Sequence, residues 1–286
     1  MSVRTRFAPS PTGRLHLGHA LSARVACEFA RKHNGQFLLR HEDIDTSRVR
    51  PEFYLSIEHD LHWLGLDWNE PPLRQTDRIA AYDTALESLK AVGLVYPCFC
   101  TRREIRDEIS RMSAAPHGPE GPLYPGTCRQ LSTAERRTRI DRGDPHAWRL
   151  DSRKAARLTG SLTFHDLLLG RHSVDPGLLG DVVLARKDIG TAYHLAVVVD
   201  DAFQQITHVT RGRDLLVSTH VHRILQQLLR LPEPTYLHHP LVLDDTGKRL
   251  AKRHDALAIA TLRDAGKPPA EVLALTDDVF AASLAF

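Results

Sequence analysis

The sequence predicts an α/β fold built around an open, mostly parallel sheet. Residues 2–8 alternate as in a short strand, a proline-rich loop over 9–13 ends it, and apolar residues at helical spacing follow from Leu21. A second strand is predicted over 36–40, and two amphipathic helices lie between residues 51 and 94. Strands and helices that alternate in this way are typical of a parallel sheet covered by helices.

Later segments are predicted to complete this sheet. Residues 161–164 and 181–186 are expected to return to the main sheet as strands. Further strands are predicted over 206–212, which ends in arginine and glycine, and over 240–243. The tail, residues 254–286, is predicted to form short helices behind the basic loop that precedes it.

Length and composition set limits on the class of protein. The chain has 286 residues, of which 42% are hydrophobic, enough for a proper core. No apolar run approaches the roughly 18 residues that a membrane helix needs, so no membrane association is expected. Four unevenly spaced cysteines and an amino terminus without an apolar signal region favour a reducing cytoplasm. Because the net charge is only +3, any nucleic-acid surface must be local.

The loop that opens the first helix predicts an anion-binding site. Free backbone N–H groups and the positive end of a helix dipole meet there. His16 and His19 can donate to phosphate oxygens, and Gly18 permits a close approach to the backbone. Taken alone, the tetrapeptide H-x-G-H is a weak signal, and a histidine pair without chemistry is the simpler interpretation.

The longer stretch RFAPSPTGRLHLGHAL, residues 6–21, resembles the HIGH signature of the class I aminoacyl-tRNA synthetases, specifically their glutamyl and glutaminyl branch. This resemblance implies a Rossmann-like, doubly wound sheet with an inserted zinc-binding, acceptor-type subdomain and a short helical C-terminal region. The implied segments are two catalytic halves, 1–96 and 176–245, a zinc and RNA-contacting insert, 97–175, and a KMSKS-like loop with a helical remnant, 246–286. The resemblance covers nearly the whole chain, and no additional anticodon-binding region is expected.

A site for free glutamate must pair two carboxylates and one ammonium group. Arg6 and Arg211 can supply the cations, Glu42 the anion and Tyr193 a neutral hydroxyl, and Glu42 and Arg211 come at the ends of predicted strands, where parallel sheets bind ligands. Each arginine taken singly could instead form a surface ion pair. The resemblance assigns the same four positions and implies that an arginine at position 211 favours glutamate over glutamine. It also implies that four residues of the opening loop contact glutamate, namely Phe7, Ala8, Pro9 and Ser10.

A second catalytic segment is predicted near the C-terminus. Residues 249–253, R-L-A-K-R, resemble the family's K-[ML]-S-K-[SQ] signature, of which Lys252 retains the second lysine. The resemblance predicts His16, His19 and Lys252 as catalytic groups that face the ATP phosphates, with Gly18 beside them and Mg²⁺ as the metal that accompanies ATP. Arginine and alanine replace the first lysine and the serine, which predicts activity with weaker ATP binding. The simpler alternative is a plain basic turn.

Three cysteines predict a metal site. Cys98 and Cys100 form a C-x-C pair, and Cys128 follows a loop rich in glycine and proline. By ligand chemistry alone, His117 is the best fourth ligand for zinc. Glutamyl-queuosine tRNA(Asp) synthetases have the pattern C-x-C…Y-x3-C, which Tyr124 completes here, so one structural zinc on Cys98, Cys100, Tyr124 and Cys128 is predicted. The alternative is three free thiols in a loop of small residues.

The expected reaction is formation of glutamyl adenylate from L-glutamate and ATP, with or without the help of tRNA, followed by transfer to an RNA. Arginines grouped between residues 102 and 157 could contact phosphates, although solvated helix faces explain them equally well. The shortened architecture and the cysteine pattern imply transfer to queuosine in the anticodon of tRNA(Asp) by a monomer. The alternatives are a truncated or discriminating glutamyl-tRNA synthetase that charges the tRNA 3′ end, and an RNA-binding paralogue without activity.

Overall fold

The computed structural model describes residues 2–111, 117–118, 121–243 and 258–285, and the side chains from 111 to 122 lie outside this description. Twelve strands are found in these ranges: β1 Arg4–Phe7, β2 Gln36–His41, β3 Leu73–Arg74, β4 Val95–Cys98, β5 His117–Gly118, β6 Gly121–Pro122, β7 Ala147–Leu150, β8 Thr163–Asp166, β9 Gly170–Ser173, β10 Val183–Ala185, β11 His208–Gly212 and β12 Thr235–His239.

Eleven α-helices accompany the strands within the same ranges: α1 Leu17–Lys32, α2 Pro51–Trp63, α3 Ile79–Ala91, α4 Arg102–Arg111, α5 Thr133–Asp141, α6 Ser152–Thr159, α7 Tyr193–Phe203, α8 Leu216–Leu229, α9 Ile259–Asp264, α10 Pro269–Ala274 and α11 Asp277–Ser283. Of these, none has the length and apolar character that crossing a bilayer requires.

Parallel strands form the centre of the molecule. β1, β2 and β3 are paired in parallel, and so are β11 and β12. Thr207, just before β11, donates its backbone N–H to the Arg4 carbonyl across 3.0 Å, so β11 lies beside β1. The first half of the sheet therefore extends to one side of β1 and the second half to the other. Ligands bind at such a switch point in open α/β sheets, next to the carboxyl ends of the strands.

Helix α1 covers this switch point because one of its faces consists of small residues. Ala20, Ala23 and Ala26 are almost completely buried, so the helix axis can lie close to β1 and β2. Thr5, inside β1, donates its hydroxyl to the Ala26 carbonyl at 2.8 Å. The strand–loop–helix order predicted from the sequence is confirmed, and its loop is held between two buried elements.

Two of the predicted strands differ from the structure. The segment 181–186 was expected in the main sheet, but β10 pairs antiparallel with β7, which in turn pairs with β4. The cause is Asp181, whose buried carboxylate accepts hydrogen bonds from Tyr96 and Ser152 and fixes the chain beside β7. The strand predicted over 240–243 is also wrong, since β12 ends at His239 and Pro240 has no N–H for a further ladder bond.

Other predictions about the later segments hold. β8 returns to the main sheet, where Asp166 is the register partner of Tyr236 on β12, and β9 pairs with β8 antiparallel. Helices α9, α10 and α11 form the end of the described chain, and α10 and α11 pack against α1. The segment boundaries at 96/97, 175/176 and 245/246 stay predictions.

Candidate active site

A cavity of about 440 Å³ opens where β1 and β11 end. Its lining brings together ten of the residues predicted to bind glutamate or ATP, which come from four separate parts of the chain: Arg6, Phe7, Ala8, Ser10, His16, Gly18, His19, Glu42, Tyr193 and Arg211. Pro9 is buried behind this surface, where its carbonyl accepts the Glu42 N–H at 2.9 Å. Lys252 lies outside the described residues.

Two stacked imidazoles form one end of the cavity. The rings of His16 and His19 lie 3.8 Å apart between centroids, and His16 is the N-cap of α1. A Cβ atom on Gly18 would lie only 3.2 Å from Cε1 of His16, so the absent side chain makes room for that ring. The start of a helix and two imidazoles at this end can face a phosphate chain, as their sequence pattern predicts.

The Arg6 cluster, which consists of Arg6, Arg40 and Asp201, lies below the centre of the cavity. Asp201 accepts from Nε of Arg6 at 2.9 Å and from a terminal nitrogen of Arg40 at 2.8 Å. Arg40 is completely buried, and Arg6 is 5% exposed. Burial alone would raise the pKa of Asp201, but the two guanidinium groups hold it below its ordinary value. One carboxylate therefore neutralises part of two buried positive charges.

Glu42 borders the same cluster and faces the cavity. Its carboxylate lies 3.5 Å from Arg40, and its side chain is 13% exposed. Burial raises the pKa of Glu42, while Arg40 and Arg6 oppose this shift. A buried carboxylate with one long ion pair still gains from a ligand that brings a positive charge, as the ammonium group of an amino acid does.

The Arg211 cluster consists of Arg211 with Tyr193, Thr219, His222 and His238. The guanidinium donates to His238 Nε2 at 3.1 Å, His222 Nδ1 at 3.2 Å, Thr219 Oγ1 at 2.6 Å and the Tyr193 hydroxyl at 3.4 Å. Within the described part of the chain, no carboxylate lies within 4.0 Å of it, so its charge is held by neutral acceptors alone.

A second cavity of about 270 Å³ adjoins the first. Ser10, Glu42 and Tyr193 line both spaces. On its far side, an ion pair joins Arg186 to Asp45 at 3.1 Å. A group that enters this second space therefore comes close to whatever Glu42 and Tyr193 hold.

The three predicted cysteine ligands lie together away from both cavities. The sulfur atoms of Cys98, Cys100 and Cys128 are within 4.8 Å of one another, the last two at 3.4 Å. The Tyr124 hydroxyl lies 3.6 Å from the Cys100 sulfur and accepts the Cys128 N–H at 2.9 Å. Hydrogen bonds from the other two thiols lower the pKa of Cys98. These donors suit a soft tetrahedral cation. The side chain of His117 lies outside the described residues.

Several residues that shape this site were not predicted from the sequence. Thr219 and His222 lie on α8, and His238 lies on β12. One signal was available: Ser218, His222 and Gln226 are buried at four-residue spacing, so a polar stripe occupies a helix face that should be apolar. Arg40 and Asp201 were not predicted either, and only the structure shows that they meet.

Comparisons with known proteins agree with this geometry. A family model described as the catalytic domain of class I tRNA synthetases (E and Q) matches residues 2–278. A glutamyl-Q tRNA(Asp) synthetase of Rhodobacter capsulatus is 49% identical over 94% of this chain and 97% of its own length. The enzyme with the same name in Deinococcus radiodurans is 42% identical over 96% of this chain and 88% of its own length.

Longer enzymes match only in part. The glutamate–tRNA ligase of Aquifex aeolicus is 38% identical, and the match covers 93% of this chain and 55% of that protein. The crystal structure of the glutamate–tRNA synthetase of Elizabethkingia anophelis superposes with a TM-score of 0.76 at 31% identity, over 88% of this chain and 53% of that one. The chain thus spans about half the length of these ligases. It belongs to the class I aminoacyl-tRNA synthetases of the glutamate and glutamine type, a family of ligases.

Proposed function

We propose that this protein activates L-glutamate with ATP and transfers the glutamyl group to queuosine in the anticodon of tRNA(Asp). The observation that carries the first half is the common cavity in which two guanidinium groups, one carboxylate and two stacked imidazoles meet. The second half rests on relatives named glutamyl-Q tRNA(Asp) synthetase, which this chain matches over nearly their full length.

Glutamate carries two negative charges and one positive charge, and the cavity offers the complementary set. Glu42 pairs with the ammonium group of the substrate, and Arg211 pairs with its side-chain carboxylate through parallel N–H bonds. Arg6 contributes positive charge beside the α-carboxylate. Phe7, Ala8, Pro9 and Ser10 shape the wall next to it.

The activation step requires positioning and charge neutralisation rather than a nucleophilic side chain. An oxygen of the glutamate α-carboxylate attacks the α-phosphorus of ATP, the bond from that phosphorus to the bridging oxygen breaks, and pyrophosphate leaves. His16 and His19 donate to the phosphate oxygens at the start of α1, and Lys252 neutralises charge on the leaving group. In the complex with ATP, bound Mg²⁺ would add charge neutralisation to that supplied by His16, His19 and Lys252.

The transfer step uses the second cavity. A hydroxyl of the acceptor attacks the activated carbonyl carbon, its proton is released, and AMP leaves with the phosphate oxygen. Ser10, Glu42 and Tyr193 form a partition between the two cavities, so the second cavity adjoins the proposed glutamate site. An acceptor that enters there approaches from the side that ATP does not occupy.

Labelling tests the whole proposal. The protein is incubated with ATP, radiolabelled glutamate and total tRNA, and the labelled nucleotide is identified after nuclease digestion. We expect label on queuosine of tRNA(Asp), and none when the same tRNA lacks queuosine. Label on the 3′-terminal adenosine would instead favour a shortened glutamyl-tRNA synthetase.

Pyrophosphate exchange tests activation separately. Glutamate-dependent exchange between ATP and labelled pyrophosphate, measured without tRNA, reports adenylate formation and whether tRNA is needed. Lys252→Ala is expected to slow exchange by at least about tenfold, because one donor to the leaving group is worth a few kcal/mol. An unchanged rate in this variant would remove Lys252 from the mechanism. Lys187→Ala serves as the control, because Lys187 is exposed and its amine donates to the Phe99 carbonyl.

We further propose that Cys98, Cys100, Tyr124 and Cys128 hold one structural zinc ion. The supporting observation is that three sulfur atoms and one hydroxyl already meet in a loop-rich segment. Cys128→Ser should lower the zinc content from about one equivalent and reduce thermal stability. Cys27→Ser is the matched control, because Cys27 lies on α1 and is buried in the hydrophobic core. Equal zinc content in both variants would contradict the site.

Contacts to tRNA are proposed for exposed arginines of α4. Arg102, Arg103 and Arg106 are exposed, whereas Arg139 and Arg142 are both paired with Asp144 and have less charge to offer. Replacing the first three by glutamine should weaken tRNA binding and reduce its salt dependence.

A further inference from the structure

We propose that Thr219, His222 and His238 are positioning residues that fix the guanidinium of Arg211 without neutralising it, and that this arrangement makes the site prefer an acidic side chain over an amide. The proposal rests on the function proposed above and extends it to residues that do not line the cavity. Of this cluster, only Arg211 and Tyr193 reach the cavity surface.

The hydrogen bonds determine the proton positions in the cluster. A guanidinium can only donate, so Nδ1 of His222 and Nε2 of His238 must each present a lone pair to Arg211. The proton of His238 is then on Nδ1, which lies 2.6 Å from Asp166. The proton of His222 is on Nε2, which lies 3.2 Å from Nδ1 of His194. Both imidazoles are therefore neutral.

Burial supports the same proton count. His222 is 2% exposed and His238 is completely buried. Burial, with the charge of Arg211 beside them, lowers the pKa of His222 well below its usual value and that of His238 to about 4. Neither ring competes with Arg211 as a second cation, and neither supplies an anion.

Asp166 anchors the cluster from behind. Its carboxylate accepts the backbone N–H groups of Leu168, Leu169 and His238 as well as the His238 ring. An imidazole thus separates this carboxylate from the guanidinium. The negative charge orients His238, while Arg211 remains available for a carboxylate from the ligand.

The arrangement explains discrimination by charge. A carboxylate brought by glutamate gains a full ion pair with Arg211, because no carboxylate of the described residues competes for it. The amide of glutamine offers one oxygen and also presents N–H groups to a partner that has only donors. An internal carboxylate in place of a histidine would remove the advantage of the acidic ligand.

Crossed substitutions at the two histidines test the idea. In a substituted side chain, the amide oxygen of glutamine can take the place of histidine Nε2, and the amide oxygen of asparagine can take the place of Nδ1. His238→Gln and His222→Asn therefore keep an acceptor for Arg211, whereas His238→Asn and His222→Gln remove it. We expect the first pair to keep KM for glutamate within about threefold of the unmodified protein, and the second pair to raise it at least about tenfold, with KM for ATP unchanged.

The measurement is pyrophosphate exchange with glutamate and with glutamine, accompanied by thermal unfolding of each variant. His208→Gln is the control, since His208 lies on the same strand as Arg211 but its ring packs at a tilt against Phe29. In His222→Glu the new carboxylate should reduce the preference for glutamate over glutamine at least tenfold.

Two results would overturn the inference. One is the same KM for glutamate in the variants that keep an acceptor for Arg211 and in those that remove it. The other is an equal rise of KM for glutamate and for ATP, which a purely structural role predicts. If the variant that removes the acceptor at one histidine does not fold, the two variants at the other histidine still test the proposal. Failure of the unmodified protein to exchange with glutamate, both with and without added tRNA, would count against the proposed function instead.

Discussion

Arg6 and Arg211 contribute the same chemical group to one cavity, but their surroundings differ. Arg6 shares the Asp201 carboxylate with the completely buried Arg40. Arg211 is held by two imidazoles and two hydroxyls. The first arrangement pairs buried charges inside the protein, and the second leaves a buried charge for the ligand. The comparison teaches that the partners of an arginine decide whether it stabilises the fold or selects a substrate.

The largest expected effect concerns the Arg6 cluster, in which Asp201 pairs with two arginines. Asp201→Asn removes the carboxylate that Arg6 and Arg40 share and leaves two buried guanidinium groups poorly paired. We expect a loss of about 3–5 kcal/mol in the free energy of unfolding, measured with urea. Asp277→Asn, which breaks an exposed pair with Arg24, should cost less than about 1 kcal/mol. Equal losses in the two variants would mean that Arg6 does not depend on Asp201.

The next effect exchanges each arginine for lysine. Arg211→Lys should lower kcat/KM for glutamate about 100-fold, near 2.7 kcal/mol, because a lysine cannot reproduce the planar, bidentate contact with a carboxylate. Arg6→Lys should lower the unfolding free energy more than Arg211→Lys does. Pyrophosphate exchange and urea unfolding of both variants check these two expectations. A larger loss of kcat/KM in Arg6→Lys, with a larger loss of stability in Arg211→Lys, would invert the roles given to the two residues.

The two clusters should lose their contributions to stability in different pH ranges. The pKa of His238 is lowered from 6.5 to about 4 by burial and Arg211, with Asp166 opposing, so the unfolded chain binds this proton first. Stability is therefore lost as the pH falls from 6.5 towards 4, by about 2 kcal/mol between pH 7 and 5 from this residue. The pKa of Asp201 is lowered, so its contribution is lost only below about pH 4.

Urea unfolding at pH 7, 6 and 5 measures this difference. His238→Gln has no titrating group at that position, so its stability should fall less steeply over the same range. Parallel curves for the variant and the unmodified protein would show that His238 titrates normally.

The smallest expected effect concerns the shared hydroxyl. Tyr193→Phe removes a long, 3.4 Å contact to Arg211 and should raise KM for glutamate about fivefold, near 1 kcal/mol. Tyr54→Phe is the control, because that hydroxyl donates to Asp43 and lies outside both cavities. A larger effect for Tyr193→Phe than for Arg211→Lys would mean that the hydroxyl dominates recognition.

Sequence patterns were sufficient for the parts of the fold where local chemistry dictates structure. The proline-rich loop before α1 and the apolar residues at helical spacing after it predicted the strand, loop and helix correctly, since both signals act within a few residues. The same holds for β11, where the alternating strand ends at Gly212. Glu42 and Arg211 were assigned to strand ends for the same reason, and the cavity brings them together.

Long-range polar contacts set the limit of this approach. The place of β10 depends on Asp181 and Tyr96, which are 85 positions apart, and no local pattern indicates that they meet. The Arg211 cluster likewise joins β11, α7, α8 and β12, and a polar stripe on a buried helix face has many possible explanations. The roles assigned to His16 and His19 stay predictions, and the Cys128→Ser variant tests the role assigned to the cysteines.

The partition between the two cavities has a consequence for how such a protein changes over time. Ser10, Glu42 and Tyr193 each have one surface towards either space. A replacement that enlarges the room for a new acceptor also alters the wall against which the amino acid rests. Under the proposed function, in which the acceptor enters the second cavity, a change of acceptor is therefore easiest through Asp45 and Arg186, which line only that cavity.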